Sequence, residues 1–176
     1  MPYVPPHRKP KPLKPEVRFK VLVIPRIGDK IVVVRDAKSG DLTVPGGGCP
    51  HRYKNNLRNC AAKELSEETR RSIIQNRNSI QPFFSFRTKN RPPEQKLNDN
   101  KRGIIVTTVY TVYTVEVGSS FKNIENSFKT KSQMTNFEKS LYEYSETSEI
   151  LLMSTKNLRD EQKVYSIIRN HVLPHI

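Results

Sequence analysis

Three glutamates, Glu64, Glu67 and Glu68, lie within five residues of each other in a chain that is otherwise rich in lysine and arginine. On a helix over residues 57–71 their carboxylates would fall within an arc of about 100°. Like charges this close repel each other unless a cation lies among them. Mg²⁺ and Mn²⁺ prefer oxygen ligands of this kind. The spacing therefore indicates a site for a hard divalent cation, although a solvated charged helix face has the same pattern.

A run of glycines precedes these acids. Pro45 is followed by Gly46, Gly47 and Gly48, directly after a short predicted strand. Because glycine tolerates positive φ and the close approach of other groups, we expect a turn that lines the site. The spacing Gly-x-x-x-x-Gly-Lys of a P-loop is absent, so a phosphate would be held through a metal ion.

The elements that must position these residues alternate between strands and helices. Apolar and β-branched runs predict strands over 17–25, 30–36, 42–48, 80–88, 104–117 and 149–154. Helical patterns cover 55–75, with Asn55 or Asn56 as the cap, and 157–173. We expect Phe83, Phe84 and Phe86 in the core and a polar loop over 89–103. The pattern predicts an α/β or α+β domain with a mixed sheet.

Length and charge limit the kinds of protein and partner. The 176 residues suit one domain over 16–176, preceded by a basic, proline-rich arm over 1–15. With 31 Lys and Arg against 17 Asp and Glu, the net charge is +14, which attracts polyanions such as RNA, DNA, nucleotides, inositol phosphates or an anionic membrane. No apolar run is long enough to span a bilayer and no secretory signal is evident, so we expect a cytoplasmic protein without a membrane span.

The two cysteines, Cys49 and Cys60, do not form a disulfide framework of the kind found in small secreted domains. We expect two reduced thiols, as is usual in a cytosolic protein. Their spacing to His51 matches no zinc site.

The segments "PGGG" and "CAAKELSEET" together resemble the sequence box of the Nudix hydrolases, with the best match over Lys63–Thr69. The resemblance covers residues 45–69 by pattern and about 17–155 in layout. It implies a Nudix-like α/β/α sandwich with a mixed β-sheet and a metal-dependent enzyme that hydrolyses phosphoanhydrides with Mg²⁺ or Mn²⁺. "GGGC" with "NCAAKELSEET" is also similar to Nudix proteins of large DNA viruses, several of which are regarded as mRNA decapping or ADP-ribose pyrophosphatases; for a viral protein the compartment would be the host cytoplasm.

The same resemblance assigns roles to individual residues. Metal ligands would be Glu64, Glu67 and Glu68 with Gly48, and Lys63 would replace the arginine that orients a catalytic glutamate. Gly46 and Gly47 would lie against the substrate. A general base would come from a late loop, with the candidates Glu143, Glu146 and Glu149. The chain departs from the family pattern at Asn55 and Asn56, where a glutamate is usual, and at Arg70, where a glycine is usual.

The sequence indicates the substrate less directly, because the Nudix sequence box defines the bond that is broken and not the leaving group. Basic residues gather in the arm and in the loop after the phenylalanines: Arg8, Lys9, Lys11, Lys14, Arg87, Lys89, Arg91, Lys96, Lys101 and Arg102. Of these, we expect Arg87, Lys89 and Arg91 to bind substrate. The charge favours capped RNA, whose chain carries many phosphates. Two alternatives remain: hydrolysis of a small diphosphate such as ADP-ribose or a diphosphoinositol phosphate, and RNA binding by a degenerate, non-catalytic site.

Overall fold

The computed structural model of this chain describes residues 12–128, 133–141 and 145–176. Its strands are β1 (Lys14–Ile27), β2 (Lys30–Asp36), β3 (Leu42–Thr43), β4 (Gly46–Cys49), β5 (Gln81–Thr88), β6 (Ile104–Glu116) and β7 (Thr147–Ser154). Its α-helices are α1 (Leu57–Glu68), α2 (Pro93–Lys101), α3 (Phe121–Ser127), α4 (Asn136–Ser140) and α5 (Thr155–Asp160). Short 3₁₀ turns cover His51–Tyr53, Arg77–Ser79 and Leu173–His175, and a π-helical turn covers Ile168–Val172.

The long strand β1 organises the sheet. Along one edge it pairs in parallel with β6, from Lys14 opposite Ile104 onward. Along the other edge it pairs first with β4 and then, at Arg26 and Ile27, with β2, both antiparallel. Strand β2 also pairs with β3 and β7, and β6 pairs with β5. The sheet therefore divides between β4 and β2, and the division opens beside the glycines.

Both faces of the sheet are covered, since β1 and β2 alternate which side each apolar residue faces. On one face Cys60, Ala61 and Leu65 of α1 pack against the sheet, together with Ile124 of α3. On the other face the C-terminal segment packs against the sheet through Ile167, Ile168 and Val172, among others. The predicted α/β/α sandwich with a mixed sheet is confirmed.

Strand β1 does not end at Pro25 as predicted. The N–H of Val23 donates to the carbonyl oxygen of Pro45, and Pro25, two residues on, faces the same edge of the strand. There the pairing with β4 has ended, and the pairing with β2 begins only at Arg26. The missing donor of Pro25 therefore breaks no ladder bond, and the strand continues to Ile27.

Three other predictions of local structure were wrong. The expected loop over 89–103 contains α2, which begins at Pro93, where the fixed φ of proline suits a first helical residue. The expected helix over 157–173 is broken, because Val164 forms a parallel bridge with Leu42 before the π-helical turn. Phe83 is exposed, whereas Phe84 and Phe86 pack against the core as expected.

The beginning of β1 lies within the segment expected to be an extended arm. Lys14 and Pro15 pair with β6, while residues 1–11 lie outside the described part of the chain. Within the described residues, no helix is both long and apolar enough to cross a membrane.

Candidate active site

Helix α1 places the glutamates by burying its opposite side. Cys60, Ala61 and Leu65 are almost fully buried against the sheet, which leaves Glu64 and Glu68 at the edge of the packed face. The helix ends at Glu68, earlier than the residue 71 or 75 that the sequence indicated. Asn56 takes the N-cap position, but its side chain makes no capping hydrogen bond.

The glycine run is a strand and not the turn that was predicted. Gly46 to Cys49 pair with β1, and none of these glycines has a positive φ. What requires glycine here is close approach: a Cβ on Gly47 would lie 2.4 Å from Oε2 of Glu64, and a Cβ on Gly46 would lie 2.3 Å from the carbonyl oxygen of Val21. The acidic helix thus lies directly on the glycine strand.

The acids of this site strongly influence each other's protonation. Burial raises the pKa of Glu64 to about 7, and the nearby charges of Glu67 and Glu146 add to this effect. Burial also raises the pKa of Glu68, as do a hydrogen bond with Glu146 and the charges of Glu146, Glu64 and Asp36. Without a cation the cluster therefore retains protons near neutral pH, because several negative charges cannot be held so close together.

Of the three candidates for a general base, the structure brings Glu146 to the cluster. It shares a hydrogen bond with Glu68, and its neighbour Thr147 donates from Oγ1 to the carbonyl oxygen of Glu68 at 2.9 Å. Glu149 instead forms an ion pair with Arg35, with 2.8 Å between Oε2 and Nε. Glu143 lies outside the described residues.

Lys63 and Gly48 lie at the edge of this arrangement. Nζ of Lys63 is 3.2 Å from Oε1 of Glu67, an ion pair across one helical turn. The role of Lys63 in orienting a catalytic glutamate stays a prediction. Gly48 lines a different cavity from the one that Glu68 lines.

A cavity of about 640 Å³ opens beside the acids, where the sheet divides. Its lining includes Gly46, Gly47 and Glu68, the further charged residues Lys20, Asp36, Lys38 and Asp41, and the aromatic residues Tyr110 and Tyr165. Burial chiefly, and the nearby Tyr165 in addition, raises the pKa of Tyr110. The volume is typical of a small-molecule site.

The structure does not bring together the three basic residues that were predicted to bind substrate, Arg87, Lys89 and Arg91. Arg91 lines a second cavity, adjacent to the first, and Asp99 binds its Nε and Nη2 at 2.7 and 3.2 Å. Arg87 and Lys89 are exposed at the end of β5 and line neither of the two cavities. Sequence reasoning singled out none of Lys20, Lys38 and Tyr165, because no pattern links their distant positions.

The expectation of two reduced thiols was wrong. Cys49 of β4 and Cys60 of α1 form a disulfide, with 2.06 Å between their sulfur atoms and 6.0 Å between their Cα atoms. The bond is possible because the glycine strand packs against the helix, a contact that the separation of 11 residues did not indicate. The disulfide thus joins the two elements that carry the candidate site.

The chemistry of the donors fits a hard divalent cation, since the cluster offers carboxylate oxygens whose mutual repulsion a cation would relieve. In residues 12–128, 133–141 and 145–176, however, no three His, Cys, Asp or Glu side chains already converge as a coordination shell. A bound ion would therefore have to draw the carboxylates together.

Comparison with known proteins gives structural matches only. No protein-family model matches the sequence, and no curated protein matches it. A mutant of the pyrophosphohydrolase BsRppH from Bacillus subtilis matches 98% of this chain and 82% of its own, at 16% identity and a TM-score of 0.53. A NUDIX hydrolase from Nitrosomonas europaea matches 85% and 80%, at 13% identity and a TM-score of 0.54.

The NUDIX domain of Shewanella oneidensis NrtR, in complex with ADP ribose, is a third match. It aligns with 96% of this chain and 92% of its own, at 13% identity and a TM-score of 0.53. At identities this low, the similarity shows a common fold. It does not show that this chain acts on the substrates of these proteins.

Proposed function

We propose that this chain, which has the fold of the Nudix hydrolases, is a divalent-metal-dependent pyrophosphohydrolase that removes the cap from mRNA. The observation that supports the proposal is that Glu146 is near enough to Glu64, beside Gly47 of the glycine strand, and to Glu68 to add to the effect of burial in raising the pKa of both carboxyl groups. The cluster adjoins a cavity large enough for a nucleotide. Such a cluster is unfavourable in a merely structural role, because burial and like charges both oppose ionisation.

The acidic residues would have different roles, according to their positions. Glu64 and Glu68, the two most enclosed, would hold Mg²⁺ or Mn²⁺, with Glu67 beside them on the outer side of the helix. The bound ion would neutralise the diphosphate and polarise the scissile P–O bond. Glu146, which interacts with Glu68, would accept a proton from the attacking water.

The rest of the cavity suits a nucleotide. Lys20 and Lys38 offer positive charge to phosphate oxygens, and the partly exposed Tyr165 offers a ring face to a base. The net charge of +14 favours a polyanionic substrate over a small nucleotide. Capped RNA combines a diphosphate-linked nucleoside with a polyanionic RNA chain. An enzyme acting on capped RNA would work in the cytoplasm.

The second candidate is hydrolysis of a small diphosphate, ADP-ribose or a diphosphoinositol phosphate. The complex of the NrtR NUDIX domain with ADP ribose favours the first of these, since that domain has the same fold. Loss of the family's usual glutamate at Asn55 leaves a third possibility, an RNA-binding protein with an inactive site.

One set of reactions separates these functions. The protein is incubated with Mg²⁺ or Mn²⁺ and, in turn, with cap-labelled RNA, ADP-ribose and an inositol pyrophosphate. We expect release of methylated guanosine diphosphate from the RNA. Turnover of ADP-ribose or the inositol compound alone would support the second function. Binding of RNA without turnover of any compound would support the third.

The acid cluster is tested by substitution within the same assay. Glu68→Gln keeps the shape of the side chain but removes the charge that a cation needs, so we expect turnover to fall at least about 100-fold, as for the loss of a metal-binding group. Glu125→Gln, at an exposed position on α3, serves as the matched control. Equal activity of the two variants would refute the assignment of Glu68.

A further inference from the structure

A second cavity, of about 620 Å³, adjoins the first and is not explained by the hydrolysis of a diphosphate. The two cavities share Lys20, and Gly48 of the second follows Gly47 of the first along β4. A molecule that leaves the first cavity past Lys20 therefore enters the second. We refer to the second cavity as the cationic cavity.

Most of the charged side chains that line the cationic cavity are basic. Its basic residues are Arg18, Lys20 and Arg91, its acidic residue is Glu16, and His51 also lines it. Glu16, Arg18 and Lys20 alternate along β1 and so lie on one face of the strand, successive ones about 6.6 Å apart. Arg18 and Lys20 of this row therefore place two positive charges beside each other where the two cavities meet, with Glu16 next to Arg18.

The two arginines are each held by an acid, whereas Lys20 is not. Nε of Arg18 lies 3.1 Å from Oε1 of Glu16, and Arg91 is bound by Asp99. In the part of the chain that the structure describes, Lys20 takes part in no ion pair. Its ammonium lies 5.9 Å from the centre of the Tyr110 ring.

Gathering these cations costs free energy. Burial lowers the pKa of Lys20, and the charges of Arg91 and Arg18 lower it further. The same residues would be more stable apart, so their grouping beside the candidate site indicates a ligand that supplies negative charge.

We propose that the cationic cavity binds the first phosphodiesters of the RNA chain behind the cap, with Lys20 at the junction and Arg18 and Arg91 beyond it. This inference rests on the proposed function, since it names the part of the substrate that follows the bond to be broken. The cavity contacts the phosphates and not the bases, so it gives affinity for an RNA chain without preference for the base sequence.

The test measures binding without hydrolysis. Fluorescent pentauridylate with a 5′-phosphate is titrated, with no divalent metal present, into the full chain and its variants. We expect Arg18→Gln to weaken binding about 3- to 10-fold and to lower the salt slope by about 0.7, the value for one phosphate contact of a single strand. We expect Lys20→Gln also to weaken binding and to lower the salt slope.

Glu16→Gln provides an opposite expectation. It removes the negative charge from the cavity and releases Arg18, so binding should become about 2- to 5-fold tighter. Lys122→Gln, at an exposed position on α3, is the control for general charge and should change the affinity less than twofold. A loss at Lys122 equal to that at Arg18 would overturn the proposal, and so would unchanged binding by both the Arg18 and Glu16 variants.

Two further probes separate the failure of this inference from failure of the proposed function. If Arg18→Gln weakens binding of ADP-ribose but not of pentauridylate, the cavity belongs to a small ligand and the inference is wrong. If capped RNA and the isolated cap dinucleotide are cleaved equally well by the wild type and by Arg18→Gln, decapping stands without this subsite. If the variants act on pentauridylate as expected but no cap is released, the subsite stands without decapping.

Discussion

The guanidinium of Arg70 donates a hydrogen bond to the carbonyl oxygen of Thr147, and so fixes the chain just after the acidic helix to the first residue of β7. Thr147 in turn donates to the carbonyl oxygen of Glu68, and Glu146, the residue before it, bonds with the Glu68 side chain. Arg70 has a φ of 49° and lies 4.5 Å from the ring centre of Phe128. Arg70 therefore ties the segment that carries Glu146 to the end of the acidic helix.

Arg70→Gly should lower turnover more than it lowers stability. The buried hydrogen bond of a charged group contributes about 1.5–3 kcal/mol, while glycine relieves a left-handed backbone that costs other residues about 1–2 kcal/mol. We expect a small net loss in the free energy of unfolding, and a kcat reduced about 10-fold or more because Glu146 loses its position. Thermal unfolding and steady-state kinetics measure the two effects.

Arg71→Gly is the control for the backbone effect, since Arg71 also has a positive φ, of 61°, but is exposed. We expect it to leave kcat within about twofold of the wild type, as for a surface change away from the reacting groups. If Arg70→Gly kept full kcat, the positioning role would be refuted.

Gly47→Ala should damage the site, because the new methyl group would meet the Glu64 carboxylate at 2.4 Å. The contact must displace Glu64, so affinity for Mn²⁺ should fall about 10-fold, measured by calorimetry. Gly48→Ala is the matched control: its added methyl meets nothing within 4 Å, and alanine retains the backbone carbonyl. Equal losses in both variants would show that the contact with Glu64 is unimportant.

Glu146→Gln and Glu149→Gln should differ in their effects on kcat. Glu146 bonds with Glu68, so loss of its carboxylate should lower kcat about 100-fold, within the usual range for a general base. Glu149 is paired with Arg35, and its loss should have little effect on rate and less than about 1 kcal/mol on stability. The values of kcat are measured at a saturating concentration of the metal ion. A larger loss for Glu149→Gln than for Glu146→Gln would indicate that Glu149, and not Glu146, is the general base.

Stability of the metal-free protein should fall as pH rises through neutrality. The pKa of Glu64 is about 7 when folded and its ordinary value is 4.5, so the folded state binds this proton more tightly. The resulting stabilisation is complete below about pH 4.5 and is lost as pH rises through about 7. Mn²⁺ binding should strengthen over the same range, because the cation competes with protons.

Thermal unfolding from about pH 5 to about pH 8, with and without Mn²⁺, measures both trends. Glu64→Gln should make the metal-free profile less steep, since its amide does not titrate, while Glu68, whose pKa is also raised, retains part of the slope. A metal-free stability that increased steadily up to about pH 8 would contradict the raised pKa.

Reduction of Cys49–Cys60 should destabilise the fold. The disulfide closes a short loop, and a loop of this length contributes about 3 kcal/mol through the entropy of the unfolded chain. Dithiothreitol should therefore lower the melting temperature of the wild type but not of the double variant Cys49→Ser, Cys60→Ser. If the wild type showed no response to reductant, the two cysteines would not be joined in solution.

Local pattern predicted the elements whose residues depend mainly on their neighbours in sequence. The alternating Val, Thr and Tyr of β6 specify a strand through period two, and the spacing of Ala61, Leu65 and the glutamates specifies a helix with one acidic edge. The acidic cluster and the adjoining glycines followed from the same short segment. Fold class and metal-binding candidates were therefore accessible from the sequence.

Only the tertiary structure decided which distant residues join that segment. Glu146 and Glu149 have the same chemistry in the sequence, but Glu146, just before β7, lies beside Glu68, whereas Glu149, within β7, pairs with Arg35. The disulfide, the cavity between β4 and β2, and the meeting of Lys20 with Arg91 likewise depend on strand order and register. The sequence by itself determined the helix, the strands and the acids, because those arise from local periodicity. Their partners depend on long-range packing, which brings together residues that no local spacing relates.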